Sequence, residues 1–198
     1  GDYDTRQASL NGGFGTERLE FDLGVAWLDS AGFPTRTVDD TDRGYQNLSG
    51  SAQLRARLGR ADVALRHWRA AGTSEYSDFF LTPVDQDFNN DATTLAVSWP
   101  AGDAVQAQVG VTRFEDRLEQ NQSTDVLRTL RHSVDAQVDW RATPRHTLGA
   151  GAMFAREDAS SDSYGERMDT DTDALNLFVQ DQFAAGPHRA LLALGYTD

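Results

Sequence analysis

The stretch "LRHSVDAQVDWRATPRH", Leu130 to His146, decides how the rest of the chain is read. Leu130, His132, Val134, Ala136, Val138 and Trp140 alternate with Arg131, Ser133, Asp135, Gln137 and Asp139. A period of two puts one set on each face of a β-strand. The strand ends at "ATPRH", where Pro144 marks a tight turn.

The same unit recurs. Short turns sit at "GGFGTE", "GRAD", "PAGD", "ATPRH" and "AAGPH", centred near Thr16, Arg60, Gly102, Pro144 and Gly186, with spacings of 44, 42, 42 and 42 residues. Between them lie polar stretches, 29–45, 71–91, 115–126 and 157–172, which read as long loops. Each period holds two long strands, whereas a propeller blade of this period needs four. Alternation is clear in Leu19–Trp27, in Leu48–Leu58 and in Val105–Thr112, while "VALRHWRA" holds no single phase and "LNLFV" puts three apolar residues together. The fold expected is all-β: an antiparallel transmembrane β-barrel segment of about ten long meander strands, each roughly 9–14 residues. Soluble strands average 5–6 residues, whereas about 9–11 cross a bilayer at a tilt.

Composition agrees with such a barrel. Hydrophobic residues are 39% of 198 and mean hydropathy is −0.55, with no apolar run long enough for a membrane helix. Barrel strands average out as hydrophilic, so a membrane barrel survives this test. Trp99, Trp140 and Phe183 lie beside short turns, as a periplasmic aromatic girdle would, and Trp27 and Trp68 lie toward the opposite rim. Packing of these residues in a soluble β-sandwich is the competing reading. The inward set, including Arg55, Arg57, Gln106, Gln108, Arg131, Asp135, Gln180 and Gln182, is too polar for a small barrel filled with side chains and suits a large one.

The net charge of −13 argues against a nucleic-acid partner. All 18 basic residues are Arg. That suits a lipopolysaccharide-facing surface, although a biased base composition accounts for it more simply. There is no cysteine, and "GDYDTRQASL" is not a signal peptide. His67, His132, His146 and His188 are scattered, and no nucleophile elbow, zinc-protease motif or phosphate loop is present. The chain is therefore expected not to be an enzyme.

Several pieces together resemble the barrel of a TonB-dependent outer-membrane receptor, of the cobalamin-receptor-like branch. They are "TRQASLNGG", "GVAWLDSAGFPT", "DRGYQNLSGSAQLRARLG", "LRHWRAAGTSEYSDFFLTPVDQDFNND", and "TDALNLFVQDQF" followed by "LLALGYTD", where Tyr196 stands in place of the family's Arg. The resemblance implies a barrel of twenty-two strands around an N-terminal plug, of which ten strands are under half. Plug, TonB-contacting box and closing strand are absent from this sequence, so it is expected to be part of a larger receptor. The implied partners are outer-membrane lipid and lipopolysaccharide, TonB through the plug, and a small molecule, cobalamin first and a siderophore second. A passive porin or structural barrel is the alternative from another class.

No cofactor is required, and calcium in the extracellular loops is the one ion considered. Calcium takes six to eight oxygen ligands. Asp39, Asp40 and Asp42 in the first loop and Asp85 and Asp87 in the second are the candidate ligands, and the resemblance favours the Asp40–Asp42 pair. "DQDFNNDATTLA" is not an EF-hand, having Asn90 and Ala96 where Gly and Glu are needed. Asp169, Asp171 and Asp173 are a weaker set, and a solvated acidic loop is the competing reading. Phe33, Tyr76, Phe79 and Phe80 are the loop aromatics expected to meet a ligand, against simple loop packing.

Overall fold

A computed structural model describes residues 2–198. After a short turn at Asp2–Asp4, ten strands follow in order: β1 (Arg6–Gly15), β2 (Leu19–Arg36), β3 (Asp39–Leu58), β4 (Ala61–Ser77), β5 (Pro83–Pro100), β6 (Val105–Gln120), β7 (Val126–Arg141), β8 (His146–Ser163), β9 (Glu166–Ala185) and β10 (His188–Thr197). Each pairs antiparallel with the next, giving one sheet in the order β1 to β10. β1 and β10 are its edges, so the ten strands form an open arc.

Register explains the alternation. One row across the sheet reads Phe14, Phe21, Leu54, Leu65, Leu95, Val111, Val134, Phe154 and Leu175, apolar at every strand from β1 to β9. Two residues nearer the short turns, on the same face, the row is Leu19, Ala56, Val63, Val97, Val109, Ala136, Ala152, Leu177 and Tyr196. The row between them, on the other face, includes Arg55, Asp135 and Asn176. One face therefore carries a continuous apolar belt, and the other carries polar and small side chains. Tyr196, whose phase the sequence leaves open, belongs to the belt.

No second layer of protein covers that belt. Among the described residues the only buried apolar side chains are Ala70, Ala107 and Ala155, and no large side chain is fully buried. The accessible surface is 13680 Å², against about 9,300 Å² for a water-soluble fold of this mass. Leu95, Val111, Val134 and Phe154 stand exposed together. A patch this size requires an apolar solvent, and the lipid chains of a bilayer supply one. A soluble sandwich, which buries two sheets against each other, is excluded.

Two expectations need correction. The stretches 29–45, 71–91, 115–126 and 157–172 are not long loops. β2 to β9 run 16 to 20 residues, and the connections at this end are Thr37–Val38, Asp78–Thr82, Asn121–Asp125 and Tyr164–Gly165. Polarity on both faces signals water on both faces; it does not prevent strand pairing. Beyond the belt β8 and β9 continue, from Arg156 and Asp173, as a ribbon of about 25 Å of strand. Trp68 is the second correction. His67 and Arg69 share the belt's face of β4, so Trp68 points to the opposite face rather than into a lipid-facing girdle.

Gly32 marks where β2 bends near this end. The β2–β3 register shifts between Ser30 and Phe33, and Gly32 has φ +76°. A Cβ there would sit 1.6 Å from the Arg43 carbonyl oxygen, so only glycine fits this bulge.

Val109 and Gln108 are neighbours on opposite faces of β6. Val109→Arg is expected to destabilise the protein by about 2–4 kcal/mol in lipid vesicles, and Gln108→Arg by less than about 1 kcal/mol. Urea unfolding of both variants in vesicles measures the difference.

Candidate functional site

The face opposite the belt is the one a permeating ligand would meet. Toward the short turns it is charged. Arg55 meets Glu20 at 3.2 Å and Arg57 meets Asp62 at 3.0 Å, in a cleft of about 410 Å³. Toward the far end it turns aromatic. Register aligns Trp68, Ala92 and Phe114 across β4, β5 and β6. The next row beyond on this face but one aligns Gly72, Phe88, Leu118 and Leu127 across β4 to β7. Tyr45 stacks on Phe88, with centroids 5.7 Å apart and planes 8° apart. Gly72 makes room for that stack, since a Cβ there would lie 2.9 Å from the Phe88 ring. Polar groups flank the aromatics. Arg66 donates to Gln53 at 3.0 Å, and both line a shallow cleft of about 740 Å³ with Asn11, Asp22, Trp68 and Thr94. An aromatic strip aligned on one face beside polar donors and acceptors suits an amphipathic small molecule. The apolar groove between Trp140, Leu148, Val179 and Leu194 lies on the belt's face and is therefore a lipid contact.

The sequence pointed to other aromatics. Phe33 lies on β2, half exposed, with its ring 5.3 Å from Tyr3. Phe79 and Phe80 sit edge to face at the β4–β5 turn and are more than 80% exposed. Tyr76 is on β4 and donates its hydroxyl to Gln120. Among the described residues the ring contacts join Phe33 to Tyr3 and Phe79 to Phe80, and none joins the two pairs. Tyr45 and Phe88 went unread because they lie in stretches taken as loops, Trp68 lies in a strand of ambiguous phase and was placed at the rim, and Phe114 falls between the strand read to Thr112 and the loop read from 115. Counting by twos upward from Leu54, Leu65, Leu95 and Val111 puts all four on the face away from the belt.

The five calcium candidates are not gathered either. Asp39, Asp40 and Asp42 are on β3 and Asp85 and Asp87 on β5, with β4 between. Among the described residues no group of three or more His, Asp or Glu side chains is placed to hold a metal ion. Asp39 is taken by protein partners: Arg43 Nη2 donates to its Oδ2 at 2.7 Å and Ser77 Oγ at 2.8 Å, while Arg43 Nε donates to Ser77 Oγ at 2.9 Å. Asp85 accepts from Asn121 Nδ2 at 2.7 Å and from Gln122, and Asp87 accepts from Thr73 Oγ1 at 2.6 Å. These carboxylates act as latches between strand ends.

Their titration follows from the partners. The Ser77 hydroxyl, then Thr41 and the Arg43 guanidinium, hold the Asp39 carboxyl well below the usual carboxylate range. The Asn121 and Gln122 side chains lower Asp85.

No family model matches this chain, and no curated protein matches it. Solved structures do. The outer membrane transporter YddB from Escherichia coli aligns over 98% of this chain and 33% of its own, with 11% identity and a TM-score of 0.69. OmpT, an outer membrane protein of Vibrio cholerae, aligns over 100% of this chain and 80% of its own at 14% identity, with a TM-score of 0.46. The fold is that of an outer-membrane β-barrel. The chain spans a third of YddB's length, and the expected location in the bacterial outer membrane agrees with the fold. The expectation that the chain is not an enzyme is corrected. One barrel architecture carries many unrelated activities, so the fold gives no ground for denying catalysis.

Because the folded Asp39 titrates below its unfolded value of 3.8, its latch contributes stability above that value. The contribution is lost as pH falls through the folded value. Amide exchange at Asp39–Arg43, corrected for intrinsic rates, is expected to stay flat from pH 7 to 5 and to rise below about pH 4. Asp39→Asn is expected to raise it already at pH 7.

Proposed function

We propose that this chain is part of the wall of a TonB-dependent outer-membrane receptor that takes up a scarce ligand from outside. Cobalamin is the leading ligand, and a ferric siderophore is the sister reading. The observation that carries the proposal is the two-sidedness of β3 to β7. One face is an apolar belt, and the other holds the aromatic strip of Tyr45, Trp68, Phe88 and Phe114 beside Arg66 and Gln53. A wall that only separated two compartments would not need ordered aromatics on its inner face. The sequence resemblance and the fold shared with YddB support the same reading. In it, the ligand enters at the far end of the ribbons and meets the strip, and energy arrives through TonB and a plug outside these ten strands. The chain contributes wall and contact surface; the moving part lies elsewhere.

Titration of the full-length protein with cyanocobalamin, and in parallel with a ferric siderophore, tests this reading. One of the two is expected to bind saturably. Trp68→Ala and Phe114→Ala are each expected to weaken it by up to about tenfold, the loss of one aromatic contact. Unchanged affinity in both variants would contradict the proposed contact. A steady ion conductance with no saturable binding would contradict the receptor reading as a whole.

A further inference from the structure

Three arginines gather on the inner face at the short-turn end of β7 to β10. Arg145 and Arg189 stand on either side of Ala184: the Ala184 amide donates to the Arg145 carbonyl at 2.8 Å, and Arg189 is the register partner of Ala184 on β10. Phe183 shares the belt's face, so Ala184 and its two neighbours belong to the opposite one. Arg141 ends β7 opposite Thr147 and follows Trp140, which puts it on the same inner face. Strand spacing sets Arg145 and Arg189 about 10 Å apart at Cα, and Arg141 lies diagonally about 7–8 Å from Arg145. The small Ala184 leaves space between them. Eight other arginines each have an ion-pair partner. Among the described residues no ion pair reaches Arg141, Arg145 or Arg189, and all three are exposed. Asp139 lies two residues up β7 on the same face, but it leans over Gly149, where a Cβ would sit 2.8 Å from its Oδ1, and accepts from Gln137 at 2.9 Å. Asp181 is on the belt's face and is taken by His146 at 2.8 Å. Three free guanidiniums thus outnumber Asp139 and the turn residue Asp103, in a chain whose net charge is −13.

From this geometry we infer that Arg141, Arg145 and Arg189 form a binding site for a divalent oxyanion in solution, a phosphate or a phosphate ester, on the inner wall at the short-turn mouth. Three guanidiniums this close repel one another, and an anion among them turns that repulsion into attraction. Guanidinium forks match phosphate bidentately, and such charge-assisted bonds are stronger than neutral ones. A phosphate ester carries about −1.5 to −2 at pH 7, enough to balance two of the three, where a monocarboxylate balances one. Thr147 and Gln182 share the Arg141 row and offer neutral hydrogen-bonding side chains to the remaining oxygens. The face decides against a lipid source. The three arginines are opposite in phase to Trp140, Leu148 and Val179, which meet lipid, so the wall itself stands between a headgroup beside the belt and this site. The inference needs the register of β7 to β10 only, and stands whether or not the TonB-dependent reading does.

The test titrates full-length protein in detergent with inorganic phosphate and with glycerol 3-phosphate, read by isothermal calorimetry. Wild type is expected to bind both saturably, with affinity falling as salt rises. Arg145→Ala/Arg189→Ala is expected to bind them at least about tenfold more weakly, having lost two charge-assisted contacts. Arg60→Ala, in the β3–β4 turn, is expected to behave as wild type. No saturable binding by wild type, equal affinity in the double variant, or equally strong binding of acetate would each overturn the inference. Tighter binding of a hexaglutamate peptide than of either phosphate, lost in the same double variant, would assign the arginines to an acidic polypeptide and overturn it as well. Should the double variant fail to insert, Arg141→Gln alone is expected to weaken phosphate binding, and unchanged affinity there is the same refutation.

Discussion

In hydrocarbon a strand has no water to satisfy its backbone, so every amide and carbonyl there must find a partner in the next strand. The rest of this structure depends on that constraint. It explains why ten strands form one unbroken meander and why consecutive strands are always neighbours. It also fixes the side-chain code. Once the backbone is paired strand to strand, one face is left to lipid and the other to whatever the barrel holds. Rows such as Phe14 to Leu175 are the result. Lipid takes the place of the missing core, and for that reason no large side chain needs to be buried by protein. The same constraint bears on β1 and β10, whose outer edges are unpaired in the arc. Closure takes strands beyond these ten, or a curl that brings the two edges together.

Within this frame the molecule has three zones. Near the short turns, charged pairs such as Arg57–Asp62 line the inner face. The belt fills the middle. Beyond it the strands stay paired in water, held by cross-strand ion pairs and by the Asp39–Arg43–Ser77 latch, in which two buried polar side chains, Arg43 and Ser77, satisfy one carboxylate. The ribbons then present two different surfaces at similar height: aromatics inward and arginines outward. The two faces are separable by mutation, because Phe114 and Arg113 are neighbours on one strand yet address different solvents.

How much of this the sequence disclosed depended on the solvent at each level. Within the belt, alternation was legible because water and lipid differ so strongly. Val105 to Val111 and Val134 to Trp140 could be assigned to faces by counting, and the turns at Pro144 and Gly186 by their residue types. Above the belt the contrast disappears, since both faces are wet. The ribbons then looked like loops, and Asp40, Asp42, Asp85 and Asp87 like loose acidic ligands. Strand β4 is the sharpest case. It leaves the belt after Leu65, so His67 and Arg69 continue on the lipid side while Trp68 turns inward, and a reading by hydrophobicity reverses the phase. The candidate site fell in this blind region. Tyr45, Phe88 and Phe114 alternate with polar residues on strands whose other face is polar too, and only register carried up from the belt separates them.

A nitroxide accessibility scan along β6, placing one label at a time from position 105 to 112 in the protein reconstituted in bilayers, tests the central claim most directly. The account predicts that accessibility to oxygen, which concentrates in lipid, is high at 105, 107, 109 and 111 and low at the four positions between, with a polar relaxant showing the opposite phase. A flat profile, or maxima at 106, 108, 110 and 112, would contradict it.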